Sequence, residues 1–183
     1  MRSPASFPRL ARDTCGVSAV EFALVLPLMI ALYLGLAEVA QGIGIDRKVA
    51  LTAHALSDLA SQAPSSISNS EMTSILDAAA AVMAPYPTDP LAVTVSAINI
   101  DANGNAKVAW SDTRGGTALA CGSSITVPGA LAVPGSQLIL SEVTYAYRPA
   151  IGYTITGTLT LSEKLYMSPR ISAISRSPTP QGC

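Results

Sequence analysis

The chain has 183 residues, which suits one domain of the common size plus an anchor and leaves no room for a second large module. Eleven Lys and Arg stand against twelve Asp and Glu, and Arg47-Lys48 is the only adjacent basic pair, so the clustered cations of a nucleic-acid reader are missing and no nucleic-acid partner is expected. A single histidine, His54, leaves too few parts for a His-based metal cluster or a Ser-His-Asp arrangement, and reads as a helix-surface residue.

The first residues form a basic leader in which Arg2, Arg9 and Arg12 outweigh Asp13. From Phe22 to Ala37 no residue is charged, and Glu21 stands at the mouth of that run. A carboxylate costs roughly 2.5 to 3.5 kcal/mol at the centre of a membrane helix and less near its end, so Glu21 is a functional-site candidate that needs a partner. Dividing the chain after Gly16 leaves a positive leader and a negative remainder, an asymmetry that keeps the leader cytoplasmic and sends the rest across.

Beyond the apolar run the helical pattern continues. Ile45, Val49, Ala53, Leu56 and Ala60 recur at spacings of three and four and line one face, with Asp46, Arg47, Lys48, Thr52 and Ser57 on others. One helix from about Val17 to Gln62 would be roughly 69 Å long at about 1.5 Å per residue, of which about 30 Å crosses the hydrocarbon. Gly42 and Gly44 weaken it, each costing up to about 1 kcal/mol relative to Ala, and Pro27 removes a backbone donor, so a kink is expected at one of them; a loop at Gly42-Ile43-Gly44 between two shorter helices is the alternative.

Ala63 to Asn69 has turn composition, and a second helix is expected from Ser70 to about Met83, ended by Pro85, Pro87 and Pro90. The period then changes to two. Leu91, Val93, Val95 and Ala97 alternate with Thr94 and Ser96, Asn103-Gly104 offers a hairpin turn, and a partner strand follows over Lys107 to Ser111. Asp112 to Ser136 reads as a long glycine-containing loop that needs a tether. Gln137 to Arg148 and Tyr153 to Leu165 are two further strands, the latter with Ile155, Leu159 and Leu161 on one face and Thr156, Thr158 and Thr160 on the other. Trp110 is expected in the core, and the polar stretch 172–183 as a flexible tail. The fold class is α+β: a long N-terminal transmembrane helix extends into a small head whose antiparallel sheet of about four strands packs on the helix's amphipathic half.

The string Gly16-Val17-Ser18-Ala19-Val20-Glu21-Phe22, followed by a Leu-rich helix, resembles the processing site of type IV prepilin-like proteins. The wider run from Ser18 to Leu28 is most similar to TadE-like pseudopilins of tight-adherence (Flp-type IVb) pilus systems, and Ser168-Pro169-Arg170 resembles that family's C-terminal ending. The resemblance implies cleavage by a prepilin peptidase between Gly16 and Val17. It implies pairing of Glu21, next to Phe22, with the N-terminus of a neighbouring subunit. It also implies pilin and pseudopilin subunits and the inner-membrane tight-adherence machinery as partners, with no cofactor. The division of the chain is then a leader over 1–16, the helix over 17–62, a periplasmic head over 63–171 and the tail. Phe22 stands where the main Flp pilins carry Tyr, and the exported part is much longer than theirs; both point to a minor pseudopilin. Cleavage would remove Cys15 and leave Cys121 and Cys183, an even pair that suits an oxidising compartment and a disulfide, with two free thiols or an intermolecular bridge as the alternatives.

No enzyme is expected. Phosphate loops are absent, Gly115-Gly116 is turn chemistry, and Asp101, Asn103 and Asn105 lack the rest of a calcium loop. The competing readings are a secretory signal peptide cut before Glu38, which would release a secreted binding domain, and an uncleaved signal-anchored envelope protein.

Overall fold

The computed structural model describes residues 15–150 and 157–178. One helix, α1, runs without interruption from Cys15 to Ser61. At about 1.5 Å per residue it is roughly 70 Å long. Its Ala- and Leu-rich composition favours helix throughout, and the chain stays helical through Pro27, Gly42 and Gly44. Of the two glycines, Gly44 has a neighbour that explains it, and Gly42 has room for a methyl group. A Cβ on Gly44 would come within 2.8 Å of the Tyr86 hydroxyl, and one on Gly42 would lie 3.7 Å from a ring carbon of Tyr147. At Gly44 the helix gives up some propensity and gains close packing against Tyr86.

The C-terminal half of α1 carries the head. Ile45, Val49, Ala53, Leu56 and Ala60, the face read from the sequence, are all buried. Thr52 and Ser57, expected on other faces, are buried as well, and so is Ser61. The buried stripe is wide because α1 is covered from two directions, by strands β4 (Gln137–Tyr147) and β5 (Leu159–Met167) and by a second helix, α2 (Asn69–Met83). Thr52 satisfies its hydroxyl within α1 by donating to the Lys48 carbonyl at 2.8 Å. Helix α2 starts at a capping box: the Ser68 hydroxyl accepts from the Glu71 amide, and the Glu71 carboxylate accepts from the Ser68 amide at 2.7 Å. Donation to that carboxylate by the Ser68 hydroxyl, also at 2.7 Å, and then by the Ser68 amide holds the Glu71 carboxyl below the usual carboxylate range.

Four strands form an antiparallel sheet in the order β3-β2-β4-β5, with β2 at Leu91–Ile100 and β3 at Ala106–Arg114. Val93, Val95, Ala97, Ile139, Val143 and Trp110 point to the helices and share one core with α1 and α2. The hairpin between β2 and β3 turns at Gly104, which has φ of 82°, and Asp101 accepts from the amides of Asn103 and Asn105 at 2.8 and 2.9 Å. Those Asp and Asn side chains therefore close a turn.

The far face of the sheet departs from the simple polar face expected. Half of it is polar, with Ser96 donating to Ser111 at 2.8 Å and the hydroxyls of Thr94 and Thr113 2.9 Å apart. The other half is a second apolar core of Ile98, Ile100, Ala106, Leu138 and Leu140, covered by Leu119, Ile125 and Val127 from the long loop. That loop also pairs with the outer edge of β3, with Val108 donating to the Ser123 carbonyl at 3.0 Å and Ile125 to the Ala106 carbonyl at 3.1 Å. It is tethered along its length by packing and backbone bonds, and not at Cys121 alone.

Two further differences concern chain segments read as irregular. The last strand of the sheet, expected from Tyr153, runs from Leu159 to Met167; residues 151–156 lie outside the described residues. Ser66–Ser68 (β1) and Ser175–Ser177 (β6) form a parallel pair, so the segment expected as a turn and the first residues of the expected tail are joined in a second small sheet. Ile174 is buried there, and Arg176 reaches into the protein.

Candidate functional site

The N-terminal half of α1 extends away from the head with its side chains uncovered. Gly16, Val17, Glu21 and Phe22 occupy the first two turns and are exposed. Val17 and Glu21 are four residues apart, one helical turn, and therefore share a face. Leu24, Leu28, Leu32 and Leu36 repeat every four residues along the exposed apolar surface that follows. The helix is long and apolar enough to cross a membrane, and none of the described residues of the head buries its most apolar stretch.

Where α1 meets the head, two hollows flank it. One, of ≈ 570 Å³, is walled by Gln41 and Ile45 of α1 and by Tyr86, Tyr145, Tyr147 and Arg148. Burial, then the proximity of Tyr86 and Tyr147, pushes the Tyr145 phenol above its usual range. The Tyr147 phenol is raised by burial first, then by the charge of Glu38 and by Tyr86. Its hydroxyl is buried without a hydrogen-bond partner among the described residues. The other hollow, of ≈ 390 Å³, lies between Gly35, Val39 and Ile43 of α1 and Pro149, Leu159 and Leu161, with Tyr147, Glu38 and Asp46 also on its wall. In the sequence Glu38 stands out only as the residue after the alternative signal-peptide cut, and Tyr145 and Tyr147 admit a binding surface but fit core or cross-strand pairs of β4 better.

Among the described residues no cluster of His, Cys, Asp and Glu could hold a metal ion. His54 is exposed on α1, and Trp110 is buried with its indole N–H donating to the Ile174 carbonyl at 2.8 Å. Cys121 is disulfide-bonded. Cys183 lies outside the described residues, so the expected partner is not placed.

The chain end is fastened to the same helix that leaves the head. Arg170 pairs with Asp58 of α1 and its amide donates to the Ser61 carbonyl at 3.1 Å. Ile174 donates to the Gln137 side chain at 2.6 Å, and Arg176 holds Asp112, the Ile67 carbonyl and Asn69. The Pro-Arg of Ser168-Pro169-Arg170 thus sits at the C-terminal end of α1, where a cation meets the last helical carbonyls favourably.

The architecture is therefore a bare apolar half-helix with a glutamate in its second turn, continuous with a half that is built into the head. Residues 16–63 match the TadE-like protein family. The match begins at Gly16, takes in the whole remaining length of α1 and ends two residues after it, covering about a quarter of the chain. The TadE-like segment is thus the helix itself, exposed half and buried half together, while α2 and the four-stranded sheet lie outside the matched region. No curated protein and no solved structure matches the chain.

Proposed function

We propose that this TadE-like protein is a minor pseudopilin of a tight-adherence pilus system, released from its leader by a prepilin peptidase and acting in pilus biogenesis and surface adhesion by interaction and not by catalysis. The observation that carries this reading is the family match starting at Gly16, on a helix whose first half is apolar and uncovered. Before assembly the helix spans the inner membrane once, leader in the cytoplasm and head in the periplasm; afterwards its exposed leucines pack against other pilin and pseudopilin subunits.

Cleavage after Gly16 gives Val17 a cationic amino group on the same face as Glu21. In a helical bundle without water a lone carboxylate is costly and must be paired, while leucine packing is indifferent to register. Pairing of Glu21 with the amino terminus of an adjacent subunit supplies the register that Phe22, Leu24 and Leu28 do not. Cys121 and Cys183 are the disulfide we assign to the exported part.

N-terminal sequencing of the protein from native membranes, with and without the prepilin peptidase, tests the assignment. A start at Val17 that is lost without the peptidase is expected; a start at Glu38 or Met1 overturns it. Glu21→Ala is expected to leave leader removal intact and to impair incorporation, and normal pilus assembly with that variant would refute the pairing role.

A further inference from the structure

The uncharged run from Phe22 to Ala37 is sixteen residues, about 24 Å of helix, whereas the hydrocarbon core is about 30 Å thick. The exposed apolar stripe does not stop at Ala37. It passes from Leu36 to Val39 and Ile43, which are 62%, 60% and 51% exposed, and the next position on the stripe is Arg47. Glu38, the carboxylate that interrupts the run in sequence, is half-buried and faces the head beside Tyr147. From Leu24 to Ile43 the stripe is twenty residues, about 30 Å, with Glu21 just before its start and Arg47 just beyond its end.

The head closes against this same length of helix with apolar residues. Pro149, Leu159 and Leu161 stand opposite Gly35, Val39 and Ile43 across the second hollow, and Leu159 is itself exposed. We infer that the head does not stand clear of the bilayer: its Pro149 and Leu159–Leu161 edge sinks into the outer interface, and phospholipid acyl chains fill the hollow between that edge and α1. The inference rests on the membrane-spanning reading of α1. The missing membrane length is made up jointly by Val39, Ile43 and the head, with the Glu38 and Asp46 carboxylates set in the hollow's otherwise apolar wall. Arg47 ends the stripe with its stem along the helix and its charge in the headgroups.

Site-directed nitroxides test this in the full chain with Cys15→Ser, reconstituted in phosphatidylcholine vesicles. Leu28→Cys probes the span, Leu159→Cys and Ile43→Cys the inferred contact, and Thr160→Cys the opposite face of the same strand. Relaxation of the residue 28, 43 and 159 labels mainly by oxygen, and of the residue 160 label mainly by an aqueous nickel chelate, is expected. Oxygen at residue 28 with nickel at residues 43 and 159 overturns the inference and leaves the span intact. Nickel at residue 28 overturns the span itself. Spin-spin broadening at residue 159 with access to neither reagent puts a second copy of the chain in the hollow and overturns the lipid assignment. The Ile43 label keeps the test decisive if Leu159→Cys fails to fold.

Discussion

Arg176→Ala should unfold the head more easily than any other change of an exposed-type residue, and its size follows from the surroundings. The guanidinium is 4% exposed and the Asp112 carboxylate 20% exposed, joined by a paired contact of 2.6 and 3.0 Å. The remaining donors reach the Ile67 carbonyl at 2.6 Å and Asn69 at 3.0 Å. Removing one partner of a buried ion pair costs roughly 3 to 5 kcal/mol; because Asp112 keeps some contact with water, about 3 kcal/mol is expected here. For a domain of this size that is a melting-temperature drop of roughly 12 °C. Trp110, the single tryptophan, reports the event directly, since its indole N–H bonds the Ile174 carbonyl two residues from Arg176. Urea unfolding of the full chain in detergent micelles, followed by tryptophan fluorescence, measures it. Asp112→Asn and the double variant complete a cycle in which the two losses overlap. A loss under about 1 kcal/mol, the value of a surface pair, or additive single losses, would refute the argument that the pair is a buried strut.

Gly44→Ala should change stability little, because about 1 kcal/mol of helix propensity is offset by displacement of the Tyr86 hydroxyl; in a Tyr86→Phe background the gain should appear, and equal effects in both backgrounds would sink the packing account. Tyr147→Phe deletes a buried hydroxyl without a partner and should be neutral or stabilising by about 1 kcal/mol in the same urea assay. With phenol pKa values raised by folding at Tyr145 and Tyr147, their contribution is complete below the unfolded value of about 10 and is lost as pH rises through the folded values. Melting curves from pH 8 to 11 should therefore fall at the alkaline end, and less steeply in Tyr147→Phe. Non-reducing peptide mapping of the leader-free protein should recover Cys121 linked to Cys183; Cys121 as a free thiol or bridged between chains would contradict the assignment.

The helical half of the fold was readable because its causes are local. The spacing of Ile45, Val49, Ala53, Leu56 and Ala60 marks a face, and alternation in β2 marks the residues that turn to the helices. Thr52 and Ser57 were misplaced because α1 is covered from two directions, by β4 and β5 and by α2, and periodicity within α1 cannot register either neighbour. The second core was hidden because Leu119, Ile125 and Val127 are scattered in a glycine-containing loop with no period at all. The β1 and β6 strands are three residues each and pair in parallel across more than a hundred residues, too short for a pattern and too distant for a turn signal. One local sign was overlooked: Ser68-Asn69-Ser70-Glu71 spells a capping box and sets the start of α2 one residue before the expected Ser70. At the candidate site the sequence singles out Gly16 to Phe22, because a glutamate beside an apolar run needs an explanation, and cleavage and pairing there stand as proposals. Glu38 carries the same anomaly, but its answer lies in residues of β4 and β5 that only folding brings near.

The parallel pairing of Ser66–Ser68 with Ser175–Ser177 also sets an order of events in time. A ribosome adding about 5 to 20 residues per second takes roughly 5 to 20 s to travel between those two strands. For all of that interval β1 has no partner, and from the point at which Trp110 and Asp112 are made they wait for the Ile174 carbonyl and the Arg176 guanidinium, so the nascent head is an open shell around α1. A chain stopped before Ile174 would carry every large element of the head and lack this clasp. The clasp is thus the last of the described contacts to form, and the head closes only once residues 174–177 have been made.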